Sequence, residues 1–370
     1  MQFGYAFALA VLLAFMVVQG HADGIKLAEN GRSEYTIVLS MNASPSEKHA
    51  ARELSNFLHQ ITGAQFPLVT ESGWCPKRMI VLGDGNTAKS LGVSIDIEDL
   101  GDEGFTIKTA GPHLVIVGGR LRGTMYGVYA FLEEVLGCRW YTPSVSYIPK
   151  KPTVILGPLD IVQKPDFEYR EPYYTGAFDA GWAARNRVNG NGTKLDKARG
   201  GKVEYHYFVH TFAALVPLEK YWQDHPEYYS MIDGKRTNDH TQLCMSNPDV
   251  VKIATETVLR WIEERPSAKI YSVSQNDWYN NCQCEKCRAI DEEEGAPSGL
   301  LLRFVNAIAE EVEKKYPDKL IDTLAYQWTE KPPKITKPRK NVRVRICPIS
   351  NCQHHPYEKC EAPGYMRLAR

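Results

Sequence analysis

In the first part of the chain, short apolar runs typical of strands alternate with stripes typical of amphipathic helices. Apolar runs at 35–39 and 79–83 predict strands, and residues 104–119 predict a hairpin that turns at Ala110-Gly111-Pro112. Two helices are predicted, one opened by the capping box at 44–47 and ended by Gly63, the other over 123–136 and ended by Gly137. The inward face of the first helix consists of Ala50, Leu54, Phe57, Leu58 and Ile61. That of the second consists of Met125, Val128, Leu132 and Val135. This order predicts a small α/β domain over residues 31–160, with both helices on one face of its sheet.

Beyond a connector at 150–166 that contains several prolines, strands and helices alternate over longer units. Six strands are predicted, at 167–174, 203–212, 242–245, from 270, at 320–326 and at 342–347. Helical stripes lie between them, at Val251, Ala254, Val258 and Ile262 and at Leu301, Val305, Ile308 and Val312. Repeated units of this kind predict a (β/α)8-type barrel over 165–370.

Such a barrel is incomplete at its C-terminus, because its unpaired edge strands prevent it from closing. We therefore expect a C-terminally truncated product, and the alternative is an unusual or partnered barrel.

The N-terminus has the pattern of a targeting segment. Phe7–Val18 is almost unbrokenly apolar, too short to span a bilayer, and small residues at Gly20 and Ala22 flank His21. A signal peptide over residues 1–22, cleaved after Ala22, is therefore expected, although positive residues are missing before the apolar run. The alternative is a buried helix of the mature fold. Since later stretches are not apolar enough to cross a bilayer, we expect a secreted or periplasmic protein without a membrane partner.

The overall charge argues against a nucleic-acid partner. Lys+Arg and Asp+Glu both number 44, so the net charge is zero, whereas nucleic-acid binding normally requires a basic surface. The same balance gives no support for docking on an acidic membrane.

The most informative segment is Ile270–Cys287, where a short strand is followed at once by chemically active side chains. Gln275, Asn276, Asp277, Trp278 and Tyr279 stand at the point where the strand ends. Carboxyls move protons at a glycosidic bond, amides fix hydroxyls, and aromatic faces cover the apolar side of a pyranose ring. The segment therefore predicts a sugar-binding active site. The alternative is a surface turn with a capping Asp277 and a structural group of cysteines.

Three cysteines at Cys282, Cys284 and Cys287 follow in the order C-x-C-x-x-C. In an exported protein disulfides are expected. The alternatives are a structural zinc ion, with a fourth ligand from Cys352, His354 or Cys360, and free thiols. Disulfides or zinc would play a structural role here and would fix the loop that carries Asp277. The cysteines outside this region, Cys75, Cys138 and Cys244, are interpreted as small buried apolar residues.

Several longer motifs resemble one family. They are RGTMYGVYAFLEE at 122–134, GCRWYTP at 137–143, HPEYY at 225–229, SQNDW at 274–278 and CQCEKC at 282–287. They resemble a secreted, poorly characterised bacterial family of two-domain proteins. Its N-terminal domain is like the non-catalytic α/β domain of β-hexosaminidases and α-glucuronidases, and it is joined to a glycosidase-like barrel of unknown function. The resemblance runs from about residue 30 to the end and implies a carbohydrate partner.

The resemblance also suggests catalytic residues. In many glycosidase barrels the general acid ends the fourth strand, and Asp277 ends the fourth strand predicted here. Those barrels carry Asp-Glu or Asn-Glu there, so Asn276-Asp277 departs from both patterns, and catalysis assisted by a substrate acetamido group is in doubt. A second carboxylate is required, for which Glu171 and Glu330 are the candidates. In Asn-Glu barrels the nucleophile lies on a seventh strand that this chain lacks, so the alternative to a secreted glycoside hydrolase is a non-catalytic carbohydrate-binding protein.

Further substrate contacts are expected from residues outside that segment. His210 ends the second predicted strand and suits a sugar hydroxyl, although a structural hydrogen bond is the commoner role of a single histidine. Arg185 suits a uronic-acid carboxylate, and a helix-surface arginine is the alternative. The candidate stacking platforms, some of which belong to the core, are Trp182, Trp278, Tyr326 and Trp328. No cofactor is expected apart from the structural zinc, and the oligomeric state stays open.

Overall fold

The computed structural model of the chain describes residues 24–72, 76–94, 96–349, 352 and 354–356. The chain divides into two compact units, Met1–Gly201 and Lys202–Arg370. The division falls after Gly201, so residues 165–201, which the sequence pattern assigns to the barrel, fold with the first unit. The predicted signal segment and its cleavage point lie outside the described residues.

The first unit is an α/β domain. Its strands are β1 (Ile25–Ala28), β2 (Thr36–Leu39), β3 (Leu68–Thr70), β4 (Met79–Leu82), β5 (Phe105–Ala110), β6 (His113–Gly118), β7 (Arg139–Trp140), β8 (Ser146–Tyr147), β9 (Val154–Leu156) and β10 (Asp160–Gln163). Its α-helices are α1 (Pro45–Thr62), α2 (Asn86–Ser90), α3 (Ile97–Leu100), α4 (Gly123–Ala130) and α5 (Ala180–Arg185). A π-helical turn, Phe131–Val135, extends α4, and short 3-10 turns lie at Thr175–Phe178 and Lys197–Arg199.

A six-stranded sheet in the order β10-β5-β6-β4-β2-β3 organises this unit. The β6-β4-β2-β3 part is parallel, and β10, β5 and β6 pair antiparallel. The inward stripe of α1 is buried as predicted, and it shares one core with α4 and one face of the sheet. The sequence therefore predicted this layer correctly, including the hairpin of β5 and β6.

Local signals explain the ends of α1. The Ser44 side chain accepts from the backbone N–H of Glu47 at 3.2 Å, and the Glu47 carboxylate accepts from the N–H of Ser44 at 2.6 Å. These two bonds satisfy donors that have no partner inside the helix. At the other end Gly63 has φ 80°, a left-handed conformation that favours glycine and stops the helix.

The second unit is also α/β. Its strands are β11 (Tyr205–His206), β12 (Met231–Ile232), β13 (Lys235–Arg236), β14 (Ile270–Ser272), β15 (Leu320–Ala325) and β16 (Val342–Ile346). Its α-helices are α6 (Phe212–Leu215), α7 (Leu218–Tyr221), α8 (Pro248–Glu264), α9 (Glu285–Glu294) and α10 (Ser298–Lys315). Two 3-10 turns lie at Pro226–Tyr228 and Gln327–Thr329.

A parallel sheet in the order β11-β14-β15-β16 forms the centre of the second unit. Leu301, Val305, Ile308 and Val312 of α10 are buried as predicted. In α8 the buried positions are Val250, Ala254, Thr257, Val258, Trp261 and Ile262, so Val250 takes the place predicted for Val251, which is partly buried. Among the described residues, β11 and β16 are the edges of this sheet, and it does not close into a barrel.

Two of the six strands predicted for the barrel are absent from this sheet. Residues 167–174 form no strand, because the Asn189 side chain bonds the N–H of Arg170 at 2.9 Å and the carbonyl of Glu168 at 3.0 Å. Residues 242–245 pair with the segment before β12 instead, since Cys244 N donates to Tyr228 O at 2.8 Å and Ser230 N to Gln242 O at 3.1 Å. The strand predicted at 203–212 is reduced to β11.

Among the described residues, no helix has both the length and the apolar character that crossing a membrane requires.

Candidate functional site

Residues 273–279 pass from the core to the surface at the carboxyl end of β14, and we call them the site loop. Val273 and Gln275 are fully buried, Asn276 is half-buried, and Asp277, Trp278 and Tyr279 are exposed. The loop begins with a hydrogen bond from Val273 N to Asp322 O on β15 at 2.7 Å. The fold thus presents a carboxyl and two aromatic rings together at one end of a parallel sheet, where catalytic groups are often found.

β14 is the second strand along the chain in this sheet, because residues 167–174 and 242–245 do not contribute to it. Counting strands therefore does not place Asp277 at the end of a fourth strand.

Asp277 is held by residues that follow the neighbouring strand β15. Its Oδ1 accepts from the Tyr326 hydroxyl at 2.9 Å and from Gln327 Nε2 at 3.2 Å. Burial, and then the bond to Asp277, raise the pKa of Tyr326, so the phenol stays protonated and remains a donor. Because β14 and β15 are parallel, their carboxyl ends meet and bring these three side chains together.

Gln242 anchors the backbone of the site loop. Its side-chain nitrogen Nε2 donates to Asn276 O at 2.8 Å and to Trp278 O at 2.6 Å, and its oxygen Oε1 accepts from Asn276 N at 2.9 Å. Gln242 is fully buried. The Asn276 side chain is also occupied, since Nδ2 donates to Thr241 O at 2.9 Å and Oδ1 accepts from Ala213 N at 3.1 Å. Asn276 is therefore tied into the scaffold.

Gln275 and His210 also form hydrogen bonds with neighbouring parts of the second unit. Gln275 Nε2 donates to Thr329 Oγ1 at 2.8 Å and to Tyr326 O at 3.2 Å. His210 Nδ1 lies 2.8 Å from Gln275 O, which leaves Nε2 free of this contact, and its ring lies 6.0 Å from that of Tyr326. His210 has φ 56°, a left-handed conformation that turns the chain beside the site loop.

The aromatic residues differ in how much surface they offer. Trp278 is 44% exposed and Tyr279 68% exposed, whereas Tyr326 and Trp328 are half-buried. Trp328 Nε1 donates to Trp278 O at 3.1 Å, and the Trp278 ring meets the His240 ring edge-on at 4.0 Å. Trp278 and Tyr279 are thus the rings of this loop that are available to a ligand.

The two candidates for a second carboxylate lie in different surroundings. Glu330, in the second unit, follows the turn Gln327–Thr329 and is 6% exposed. Glu171 belongs to the first unit, where its carboxylate accepts from the Tyr169 hydroxyl and from Gly192 N. Both oxygens of Glu171 are therefore already used within that unit.

Two predicted substrate contacts belong to the packing of the first unit. Trp182 is 7% exposed and lies in the core, where its ring meets Tyr174 edge-on at 5.5 Å. Arg185 pairs with Glu53 at 2.9 Å, and its guanidinium lies 5.3 Å from the centre of the Phe57 ring. These contacts account for the Arg185 guanidinium and for the packing of the Trp182 ring.

A buried ion pair lies below the site loop. Asp322 on β15 is 1% exposed and pairs with Arg345 of β16 at 2.5 Å, while the Tyr205 hydroxyl donates to its Oδ1 at 3.4 Å. Burial raises the pKa of Asp322 to about 6, although Arg345 opposes that rise. The sequence reasoning missed this pair, yet an aspartate inside the apolar strand Leu320–Ala325 was a visible signal.

The cysteine arrangement differs from the prediction. Cys282, Cys284 and Cys287 are joined by Cys244, and the four Sγ atoms lie within 4.8 Å of one another. Cys244 is thus no isolated apolar residue. Cys352 lies with its Sγ 3.2 Å from His355 Nδ1, and Cys360 is outside the described residues. The described cysteines are free thiols, so the expected disulfides are not found among them.

The thiols influence one another strongly. Hydrogen bonds from Cys282 and Cys287 lower the pKa of Cys244 far below its usual range. The hydrogen bond with Cys244 raises the pKa of Cys282 to about 11 and also raises that of Cys287. The sulfur atoms are therefore close enough to share hydrogen bonds with one another.

Comparison with protein families places the chain among proteins with glycoside-hydrolase-like domains. Residues 25–131 match the glycosyl hydrolase family 67 N-terminus, an assignment that fits the α/β sheet of the first unit. Residues 140–369 match a domain of unknown function, DUF4838. The chain belongs to the DUF4838 family, and the two matches together confirm the joined domains that the sequence motifs resemble.

Solved structures with a similar course of the chain include carbohydrate-active enzymes. A family GH115 4-O-methyl-α-glucuronidase with specificity for decorated arabinogalactans matches 83% of this chain, with 14% identity and a TM-score of 0.49. A chitobiase from Flavobacterium johnsoniae matches 86%, with 14% identity and a TM-score of 0.46. A β-hexosaminidase mutant from Streptomyces plicatus matches 87%, with 12% identity and a TM-score of 0.43. The chain spans 43%, 52% and 66% of their lengths, respectively. No curated protein matched the chain.

Proposed function

We propose that the protein is a glycoside hydrolase that acts on a polysaccharide or glycan, with Asp277 as its general acid. The observation that carries this proposal is the position of Asp277, exposed at the carboxyl end of β14 and bonded to Tyr326 and Gln327. Because one oxygen of the carboxyl is fixed, the other stays directed toward a ligand. A general acid that protonates a glycosidic oxygen needs an oxygen placed in this way.

The surroundings of Asp277 suit a sugar. Trp278 and Tyr279 offer exposed rings next to the carboxyl, and aromatic faces cover the apolar side of pyranose rings in binding sites. The match of residues 25–131 to a glycosyl hydrolase N-terminal domain supports the same class of substrate.

The second carboxylate is proposed to be Glu330, since both oxygens of Glu171 are engaged within the first unit. A separation of about 5 Å between two catalytic carboxyls leads to retention of configuration, and about 6.5–9.5 Å to inversion. A protein that lacks a working second carboxylate would bind sugar without cleaving it, and this is the alternative function.

The test is a hydrolysis screen on aryl-glycosides and on plant, algal and mucin glycans. It compares the parent protein with Asp277→Asn and with Asp318→Asn, a control just before the amino end of β15. We expect the parent and the control to release sugar, and Asp277→Asn to be slower by about 10²- to 10⁴-fold. Glycan binding without release by any of the three proteins would favour the non-catalytic alternative. Equal release by all three would keep the enzyme and remove Asp277 from its chemistry.

We also propose that the protein is exported, on the strength of the apolar segment Phe7–Val18. N-terminal sequencing of the mature protein tests this, and a start at Asp23 is the expected result. A mature chain that retains Met1 would contradict it.

A further inference from the structure

We propose that Cys244, Cys282, Cys284 and Cys287 bind one zinc ion in a closed, structural site. This inference does not depend on the proposed glycosidase activity. Their four Sγ atoms lie within 4.8 Å of one another. Thiolate sulfur is a preferred ligand of zinc, and four cysteines around one zinc ion are a common structural arrangement.

The distances between sulfur atoms fit a metal better than a disulfide. Cys244 Sγ lies 3.7 Å from Cys284 Sγ and 3.8 Å from Cys287 Sγ. A disulfide requires about 2.05 Å. A tetrahedron with zinc–sulfur bonds of about 2.3 Å has sulfur–sulfur edges of about 3.8 Å. These two pairs therefore have the spacing of ligands around a common centre, and all four Sγ atoms lie within 4.8 Å of one another.

The secondary structure explains how the chain brings the four together. Cys284 is the N-cap of α9, and Cys287 lies in its first turn, so both side chains point to the same end of that helix. Cys282 is at the end of the loop that leaves β14, and Cys244 stands in the turn before α8. Two segments therefore meet at the cluster, the turn before α8 and the continuous stretch 282–287, and an ion there would hold them together.

Donors around the sulfurs indicate that the cluster is built to carry negative charge. Cys282 Sγ accepts from Met231 N at 3.4 Å and from Arg236 Nη1 at 3.6 Å. Ser246 Oγ lies 3.1 Å from Cys287 Sγ. Zinc with four thiolates has a net charge of −2, and one guanidinium and these polar hydrogens partly compensate it. Binding releases the thiol protons to solvent and involves no change of oxidation state.

The ligand set predicts a structural role. Catalytic zinc sites keep one position open for water, whereas four cysteines fill the coordination sphere. Cys244 is two residues beyond Gln242, whose amide holds Asn276 and Trp278, and Cys282 is three residues beyond the end of the site loop. Zinc would thus secure both the loop and the residue that anchors it.

The first measurement is the metal content of the full chain, purified from zinc-containing medium without a thiol reductant. We expect about one zinc per chain by inductively coupled plasma mass spectrometry. After exchange of zinc for Co²⁺, the protein should show the visible absorption of Co²⁺ bound tetrahedrally by four thiolates. A chain with four titratable thiols and no zinc would overturn the proposal. Iron in place of zinc, or a disulfide between two of the four cysteines in peptide mapping, would also overturn it.

The ligands are tested with Cys244→Ser and Cys287→Ser, and Cys347→Ser is the matched control in the same unit. We expect each ligand variant to lose zinc at least about ten-fold more readily to a competing chelator, with the control unchanged. Zinc retained equally by all three variants would contradict the assignment. If a ligand variant does not fold, the Co²⁺ spectrum of the parent decides, because its absence alone overturns the site.

Zinc removal from the folded parent tests the structural role. A chelator should speed hydrogen exchange in the peptide 275–284 while leaving β15 protected, since the ion holds the loop rather than the sheet. Unchanged exchange in 275–284 after complete zinc loss would overturn the structural role. None of these measurements involves hydrolysis, so failure of the zinc site and failure of the proposed activity are distinguishable.

Discussion

The Tyr326 hydroxyl donates to Asp277 Oδ1 at 2.9 Å and thereby joins the loops that follow two neighbouring parallel strands. This bond fixes the direction of the carboxyl and links the site loop to the turn after β15. Gln327 Nε2 adds a second donor to the same oxygen at 3.2 Å. Substitutions at either end of the bond therefore affect both partners.

We expect Asp277→Asn to lower the pKa of Tyr326. Burial raises that pKa first, and the bond to Asp277 and its negative charge raise it further, so removing the charge moves it back toward 10. NMR of tyrosine labelled at Cζ, with Tyr326→Phe to assign the signal, measures the titration. Asp318→Asn serves as control and should leave it unchanged. An identical Tyr326 titration in Asp277→Asn would mean that the bond is not formed in solution.

If Asp277 acts as the proposed acid, Tyr326→Phe should reduce turnover by about five-fold. The lost bond corresponds to about 1 kcal/mol, a low value for a charged acceptor because Asp277 is exposed to solvent. Tyr316→Phe is the matched control, since its hydroxyl contacts Glu263 at 3.5 Å near the amino end of β15. The measurement is kcat on the best substrate of the screen. Equal kcat for the parent and Tyr326→Phe would show that the bond does not position Asp277.

Gln242→Leu should loosen the site loop. The change removes two donors and one acceptor from partly buried backbone groups of Asn276 and Trp278. Asn276 O keeps the bond from Trp278 N, and Trp278 O keeps the bond from Trp328 Nε1, so Asn276 N is the group that loses its acceptor. Such a loss costs about 1–3 kcal/mol, and we expect a decrease of that size in the free energy of unfolding. Denaturation followed by tryptophan fluorescence measures this loss.

Gln242→Glu separates the two kinds of contact at this residue. It keeps an acceptor for Asn276 N but places a buried carboxylate against the carbonyl oxygens of Asn276 and Trp278, so at pH 7 it should be no more stable than Gln242→Leu. At low pH the protonated carboxyl regains one donor, and its stability should move back toward that of the parent. If both variants are as stable as the parent, Gln242 does not anchor the loop.

The helices and the hairpin of this protein were predictable because their signals are local. The spacing of apolar residues in α1 and α10 corresponds directly to a buried face, and the cap of α1 is encoded within four residues. Residues 167–174 and 242–245 have the composition of strands but do not join the sheet. Side chains and a neighbouring segment satisfy their backbone groups, and composition cannot reveal such partners.

The candidate site also has one part that the sequence predicted and another part that it did not. Gln275–Tyr279 are adjacent in sequence, so their position after a strand was readable. Gln242 and Cys244 contact the site from a segment about thirty to forty residues earlier in the chain. No local sequence pattern predicts this contact. The buried Asp322 did leave a signal, an acidic residue between apolar positions of a strand, and it points to Arg345 only once the neighbouring strand is known.

Glu294 should make the second unit sensitive to acid. Burial raises its pKa, but bonds from Thr336, Arg303 and Ile335 outweigh that effect and hold it at about 2. Because folding lowers this pKa, its contribution to stability is complete above pH 4.5 and is lost as the pH falls toward about 2. Glu294→Gln should therefore lower the free energy of unfolding at pH 7 by about 2–3 kcal/mol, and by less at pH 2–3.

Glu293→Gln is the control for Glu294, because Glu293 pairs with the same Arg303 at 2.9 Å but is exposed. An exposed ion pair contributes about 0–1 kcal/mol, so this variant should stay close to the parent. Denaturation at several pH values gives the comparison. A Glu294→Gln penalty that does not change with pH would contradict the role of its charge.

Arg345→Met should destabilise the second unit in a way that depends on pH. Arg345 opposes the rise in the Asp322 pKa that burial causes, so in the variant at neutral pH the buried carboxyl either keeps its charge without this partner or takes up a proton, and both outcomes destabilise the fold. Loss of the partner costs about 3–5 kcal/mol. Because folding raises the Asp322 pKa above 3.8, the favourable contribution of this group is complete below pH 3.8 and is lost as the pH rises through about 6. The penalty of Arg345→Met should accordingly be smaller at pH 4, where Asp322 is protonated in the folded protein.

The double variant Asp322→Asn, Arg345→Met provides the control for this ion pair. With the buried charge removed, it should be more stable at pH 7 than Arg345→Met alone, and the double-mutant cycle measures the interaction between the two side chains. Hydrogen exchange of β15 and β16 reports on the strands that carry them. An Arg345→Met penalty that is equal at pH 4 and pH 7, and is not relieved by Asp322→Asn, would show instead that the loss comes from packing against Phe208, whose ring centre lies 4.1 Å from the Arg345 guanidinium.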